Sequence, residues 1–470
     1  MNATQLAVNI TDMNSRGLGL RVLVGALMGF YVLLPLDRGF PSVPLFGRPL
    51  SPAITATLIV FSVLLVRSRG SILSYLREPY CVIQSAYFCL LVASSLRAAS
   101  PLSPLHWSVL YYCTFVLNYV ILRHITSLYG TSWLTAVVAA LGVVAAGVAI
   151  VQGVLGIPLP MYDAWFENYF RRPPDNYALA TARASGTMNN PILFCLLMAL
   201  VIPYAFDLRR SARAVALFTI MFAAGLSGSR TLVFVVAVFA AGAVFVYRWG
   251  AIRALPSVGA GLVLLAASLG WLTPAGQGSR ATFLAERSGL TAASKTALGA
   301  APDAALEAGL RQTPDIAPGS GPKPASQAEL SAALGVSLRT GALSEGIREI
   351  TQEWDLLTWV FGRGAFSVAA VGKRIRPWYN TVDNVYLSVL YERGLIGLVL
   401  FVSAFISFLI VTRHASTITV HWFAPVTLMV AGFSFCWDAY SMFNILVVGS
   451  MAVAMWHQEQ LRTSRTVRRR

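Results

Sequence analysis

The segment "WLTAVVAALGVVAAGVAIVQGVLG", Trp133–Gly156, carries no charged side chain. As a helix, an uncharged run of this length reaches across a hydrocarbon core about 30 Å thick. Runs of the same kind recur on both sides of it, and twelve candidate spans lie near 18–36, 52–66, 79–96, 105–122, 133–156, 190–206, 214–227, 231–247, 254–272, 394–412, 418–436 and 440–456. Only 12% of the residues are charged and 56% are hydrophobic, whereas soluble domains average about 25% charged. These features predict an all-α polytopic membrane protein. A membrane β-barrel would instead show alternating segments of about ten residues, and the sequence has none.

The basic residues sort by connection. Arg67, Arg69 and Arg77; Arg123; Arg209, Arg210 and Arg213; Arg248 and Arg253; and Arg413 occupy alternate connections, and the tail "RTSRTVRRR" adds five more. Positive charge concentrates on the cytoplasmic side of membrane proteins, so both termini and these connections are expected in the cytoplasm. The net charge of +16 therefore reflects topology, and no nucleic-acid partner is expected. About sixteen mostly polar residues precede the first span without a small-residue cleavage site, so no removable signal peptide is expected. The resulting organisation is spans one to nine over 1–272, a large periplasmic loop over 273–393, spans ten to twelve over 394–457, and a basic tail over 458–470.

Within the large loop, "KTALGAAPDAALEAGLRQTPDIAPGSGPKPAS" reads as a mobile Ala/Pro/Gly-rich insertion. In "SLRTGALSEGIREITQEWDLLTWVFGRG", Leu343, Ile347, Ile350, Trp354 and Leu357 recur at helical spacing, which predicts a helix packed on the membrane domain. Glu345, Glu349 and Glu353 share a face with Arg348 close by, as on a solvated, salt-bridged helix.

Several chemistries are poorly supplied. Cys81, Cys89, Cys113, Cys195 and Cys436 fall in or beside apolar runs and read as packing residues. No paired-histidine motif or carboxylate cluster at metal-ligand spacing occurs, so neither a metal site nor a cofactor is expected. No phosphate-binding loop of the GxxxxGK[ST] type is present, which argues against ATP-driven transport by this chain alone.

The outward-facing arginines are more informative. "GLSGSRTLVFVVAVF" places Arg230 beside Ser227, Gly228 and Ser229 at the outer ends of spans seven and eight. The positive-inside rule disfavours a charge there, whereas a guanidinium among small residues suits an anionic ligand. An interfacial arginine snorkelling to lipid headgroups is the plainer alternative. Arg183 in "ARASGTMNNPILF" precedes a helix start capped by Asn-Pro, and Arg171 and Arg172 are further outward bases. None of the five histidines lies in the large loop, so an outward general base has to be a carboxylate. Asp383, in "WYNTVDNVYLSVLYERGLIG", is the best placed, because the helix that Asp383 and Asn384 can cap fixes it near the membrane plane.

Taken in order, these segments resemble the bacterial O-antigen ligase and polysaccharide polymerase family. "ASGTMNNPILFCLLMAL" is similar to its Gly-Thr-x-x-Asn-Pro segment, "LSGSRTLVFVVAV" to its Ser-Arg segment, and "FGRGAFS" to its Gly-x-Gly turn. "TVDNVYLSVLYERGLIGLVLF" is similar to its His-or-Asp, Asn-x-x-Leu motif. The likeness runs from about Arg183 to Phe401, and the first five spans match only in hydrophobicity. It implies a GT-C-like membrane glycosyltransferase at the periplasmic face of the inner membrane, metal-independent and inverting. Its donor would be a glycan on undecaprenyl pyrophosphate. Arg230, Arg183 and Arg339 would hold the pyrophosphate, with Arg348 as alternate to Arg339 and with Ser229 and Asn384 in support; Asp383 would act on the acceptor hydroxyl. Implied partners are the lipid-linked glycan, the glycan acceptor, the lipid bilayer and other polysaccharide assembly proteins.

One departure decides between members. Ligases that load lipid A-core usually carry His where this chain has Asp383, which favours a polymerase joining repeat units, with the ligase as the alternative. A glycan or solute transporter would place its charges near the bilayer midplane, whereas the unusual arginines here fall at span ends. A scaffold in an assembly complex would need neither Arg230 nor Asp383.

Overall fold

The computed structural model describes residues 19–33, 44–45, 48–49, 52–96, 102–155, 186–188, 191–227, 231–247, 343–368, 370–371, 384–414, 419–433 and 441–469. These residues are overwhelmingly helical. The exceptions in regular structure are a two-residue antiparallel pairing of Pro44–Leu45 with Arg48–Pro49 and short turns of 3-10 helix. In chain order the helices are α1 (Gly19–Leu33), α2 (Pro52–Arg67), α3 (Arg69–Leu76), α4 (Pro79–Leu96), α5 (Leu102–Tyr112), α6 (Asn118–Tyr129), α7 (Ser132–Leu155), α8 (Pro191–Phe206), α9 (Arg210–Leu226) and α10 (Leu232–Tyr247). They continue as α11 (343–353), α12 (Leu356–Phe361), α13 (Val385–Val411), α14 (Phe423–Ala431) and α15 (Ser441–Arg469).

The protein is a multi-pass membrane protein. Among the described residues, four helices are long and apolar enough to cross a bilayer: Pro79–Leu96, Pro104–Tyr129, Ser132–Val151 and Val385–Val411. A fifth candidate is the pair α2 and α3, which bends by 118°. Shorter apolar helices at Gly19–Leu33, Ile192–Phe206, Leu232–Ala243 and Val420–Ala431 fall where four further spans were expected. The expected ninth span, 254–272, lies outside the described residues.

The expected fourth span needs correction. It was to end near 122 with Arg123 in a basic connection, but the helix runs on to Tyr129 and Arg123 is fully buried inside it. Anionic partners explain the difference: Arg123 pairs with Glu459 and with Glu78 (3.3 Å), and its guanidinium lies 5.1 Å from the centre of the Tyr75 ring. A charge so paired can be buried, and hydropathy alone does not register the pairing. The continuation passes through a π-helical segment, Cys113–Leu117, where Thr114 Oγ1 donates to the carbonyls of Leu110 (2.9 Å) and Tyr111 (3.0 Å). Those bonds serve carbonyls near the point where the wider turn breaks the α-helical ladder.

The core is built around α8. From Leu193 to Phe206 its described apolar side chains are buried on every face, which suits a helix enclosed by others. Close approach relies on glycine: a Cβ at Gly142, Gly242 or Gly449 would overlap Val201, Phe206 or Tyr204 of α8, respectively. Small residues at such crossings let membrane helices associate by dispersion, with no water to expel.

Candidate functional site

Three contacts gather one end of the bundle, and a fourth, at the opposite end, sets the helix directions. Asp207, just beyond α8, bonds His421 at the turn leading into α14, so these two helices run antiparallel, and the start of α8 lies with the end of α14. Thr231 Oγ1 donates to the carbonyl of Ile192 (3.1 Å), bringing the start of α10 to the start of α8. The backbone N–H of Val385 donates to the carbonyl of Gly432 (2.9 Å), and Asn384 Nδ2 to that of Phe433 (3.4 Å), which ties the start of α13 to the end of α14. All the segments that carry the family resemblance therefore have their described portions at this end.

The segments join in two pairs. In the first, Cys195 Sγ lies 2.9 Å from Ser227 Oγ, and Thr231 reaches Ile192; the stretch following Arg183 thus packs on the stretch flanking Arg230. In the second, the Gly362-Arg363-Gly364 turn docks on α13 at Tyr391–Gly394. The N–H of Arg363 donates to the Tyr391 carbonyl (2.9 Å) and that of Gly364 to the Glu392 carbonyl (3.0 Å). Gly362 (φ 72°) and Gly394 (φ 67°) sit in left-handed conformations where the two backbones touch. A Cβ on Gly362 would overlap the backbone at Arg393, and one on Gly394 the Val360 carbonyl. Glycine serves here for its backbone freedom and its missing side chain at once.

α13 therefore breaks at Gly394, and the break is where its chain meets the membrane run. Ser94, two residues from the end of α4, donates to the Glu392 carbonyl (3.3 Å), so the break is level with that helix end. Arg393 and Glu392, 3.2 Å apart and nearly buried, face one another there, with the Arg393 guanidinium 5.7 Å from the centre of the Tyr87 ring. Sequence reasoning missed this pair, although a Glu-Arg dipeptide opening an apolar run was its visible signal.

Asn384 caps α13: its Oδ1 accepts from the Leu387 N–H (2.9 Å). The cap fixes the first turn beside Asp383. Asp383, Arg183, Arg230, Ser229 and Arg339 themselves lie outside the described residues.

Arg348 is described. It sits exposed on α11 and makes a two-pronged contact with Glu345, Nε to Oε2 at 3.0 Å and Nη2 to Oε1 at 2.7 Å. That pairing raises its pKa further above the ordinary guanidinium value. The shared, solvated face expected for Glu345, Glu349 and Glu353 is corrected in part: Glu349 is fully buried and pairs with Arg363, whose Nη2 also lies 3.3 Å from Glu353. The spacing of the three carboxylates was read correctly, but the face turns toward the glycine turn, which supplies a cation.

The single helix expected through Leu357 is likewise corrected. It breaks at Trp354, because Asp355 caps a new helix by accepting from the Thr358 N–H (2.7 Å). Ile350 joins Val368, Val371, Leu387 and Tyr391 in a small core, while Ile347 and Leu357 face outward.

The opposite end holds other polar groups. His421 Nε2 lies 3.0 Å from Asp207 Oδ2, and its Nδ1 lies 3.1 Å from Ser450 Oγ. Burial pushes the Asp207 carboxyl up, but His421, through charge and hydrogen bond, outweighs it with help from His457 and Arg213, leaving the carboxyl below the usual range. A Ser-His-Asp arrangement has the residue types of a hydrolase triad. Here Ser450 and His421 are fully buried between helices and serve to join α8, α14 and α15.

In comparisons with known proteins, no family model and no curated protein matches the chain.

Proposed function

We propose that this protein is a polysaccharide polymerase of the bacterial inner membrane. It transfers a glycan from undecaprenyl pyrophosphate to an acceptor sugar hydroxyl on another lipid-linked repeat unit, without a metal. The observation that carries the reading is the ordered set of segments from Arg183 to Phe401, whose described portions meet at one end of the bundle through the Thr231–Ile192 and Gly364–Glu392 hydrogen bonds. The alternating basic connections, read with a twelve-span topology and cytoplasmic termini, support a periplasmic position for that end.

In the proposed reaction the acceptor oxygen forms a bond to the anomeric carbon as the bond to the pyrophosphate oxygen breaks, inverting the centre. Undecaprenyl pyrophosphate leaves with the electron pair. Asp383 takes the acceptor proton, or aims the hydroxyl while the proton passes to the departing pyrophosphate. An ordinary aspartate, with a pKa of about 3.9, is a weak base, and nearby arginines weaken it further. Arg230, Arg183 and Arg339 stabilise the charge that develops on the pyrophosphate, an electrostatic role that grows along the reaction coordinate. We assign the large-loop cation to Arg339 in preference to Arg348, since the Arg348 guanidinium is held on both prongs by Glu345.

The test is the glycan profile of a deletion strain complemented with variants that still insert. A polymerase leaves single repeat units when lost, and Arg230→Ala and Asp383→Ala leave the same product. Long lipid-linked polymer that fails to reach the core acceptor would instead identify a ligase. Normal polymer in either variant would rule out the site.

A further inference from the structure

The short helix α12 is apolar and faces outward. Leu356, Leu357, Trp359 and Phe361 are 78%, 67%, 38% and 41% exposed, and no residue of this helix is buried. In water such a surface is unfavourable, and an exposed apolar patch of this kind marks a contact with something else.

Its position points to what covers it. α12 ends at Gly362, backbone to backbone with Gly394 at the break of α13. Directly after the break, α13 presents Leu395, Val399, Ile406 and Ile410 along one exposed stripe. α13 is one of the helices long and apolar enough to span the bilayer, so that stripe faces lipid. α12 therefore ends beside Leu395, the first residue of the stripe. Directly before α12 in the chain, α11 leaves Arg348, Thr351, Gln352 and Glu353 exposed. A polar, charged surface followed directly by exposed leucine, tryptophan and phenylalanine beside an apolar membrane run is the composition of a segment at a bilayer interface.

We propose that α12 is a membrane-interface anchor. Its Leu356, Leu357, Trp359 and Phe361 side chains lie among lipid acyl chains at the rim of the bilayer, and they seat α11 and the Gly362–Gly364 turn against the bundle. The occupant of this surface is the bilayer itself. The inference concerns placement and does not depend on the reaction proposed above.

The experiment places a bimane label at Leu357→Cys and, separately, at Gln352→Cys in the full chain. Cys89, which is exposed, and Cys436 are replaced by alanine, and the buried Cys81, Cys113 and Cys195 are kept. The protein is reconstituted in nanodiscs of phosphatidylcholine with or without a dibrominated acyl chain, which open both faces to aqueous iodide. The label at 357 is expected to be quenched by the brominated lipid and to resist iodide several-fold better than the label at 352, with the reverse at 352. Equal iodide quenching at both positions would overturn the proposal. So would a label at 357 shielded from both quenchers, which would mean that protein, such as a second copy, covers α12. Phe361→Cys gives an independent position, and loss of bromolipid-quenched tryptophan emission in Trp359→Phe reads the same contact without a label.

Discussion

The two ends of the bundle are held together by different means. At the end that gathers the resembling segments, the joints are largely made by backbone: glycine against glycine, N–H groups of the Gly362–Gly364 turn on the carbonyls of Tyr391 and Glu392, and the Val385 N–H on the Gly432 carbonyl, with Arg363 paired to Glu349 and Glu353 as the charged addition. At the other end the joints are side chains in charged networks, Arg123 with Glu78 and Glu459, and Asp207 with His421 and Ser450. The contrast teaches where chemistry can reside. Ionised groups committed to one another in a buried network are costly to redirect, because separating them leaves a charge without its partner. Joints made of backbone hold a loop in place without consuming a side chain.

The comparison breaks most visibly at the glycines. Gly394→Val is expected to cost about 1–3 kcal/mol for the positive-φ, extended backbone alone, and overlap with the Val360 carbonyl forces the turn away from α13 as well. Limited proteolysis should show accelerated cleavage near 343–364, with the Arg123 end unaffected. Next in size is Arg123→Ala. Its guanidinium is fully buried, while Glu459 is half exposed and can turn to water. The expected loss is about 3 kcal/mol, the low end for breaking a buried pair, read as a lower melting temperature in detergent. A preserved melting temperature would show that the network is not what holds that end.

Asn384→Ala removes the cap of α13 and should cost about 1 kcal/mol, with Asn384→Asp restoring most of it. Because the cap neighbours Asp383, polymer formation should fall further than stability does. Arg348→Ala should leave both melting and polymer unchanged, whereas Arg339→Ala should abolish polymer; a defect from Arg348→Ala would move the pyrophosphate contact onto α11. The smallest effect is one of pH. The Asp207 carboxyl is held below its ordinary value of 3.8, so its contribution is complete above that pH and is lost as pH falls through the lowered value. Asp207→Asn should flatten the acid limb of the melting-temperature profile.

Much of the fold was legible because burial in lipid imposes its own grammar. Uncharged runs announced their helices, and the helical spacing of Leu343, Ile347 and Ile350 announced α11. The cap at Asn384 was also legible, since an Asx side chain ahead of an apolar run satisfies N–H groups that the helix leaves open. The hinge between α2 and α3 and the passage of a helix through Arg123 were not, for they depend on partners distant in sequence.

By itself, the sequence determined that this chain is a helical membrane protein, which of its segments resemble a glycan-transferring family, and which carboxylate and arginines are worth testing. Local composition suffices for these, since hydropathy, capping and charge act within a few residues. Only the tertiary structure decided that Glu349 is buried on Arg363, that α13 breaks where Gly362 meets Gly394, and that α12 turns its leucines outward. Each of these depends on which surfaces meet across tens of residues or across a turn of left-handed backbone, and neither periodicity nor hydropathy encodes that.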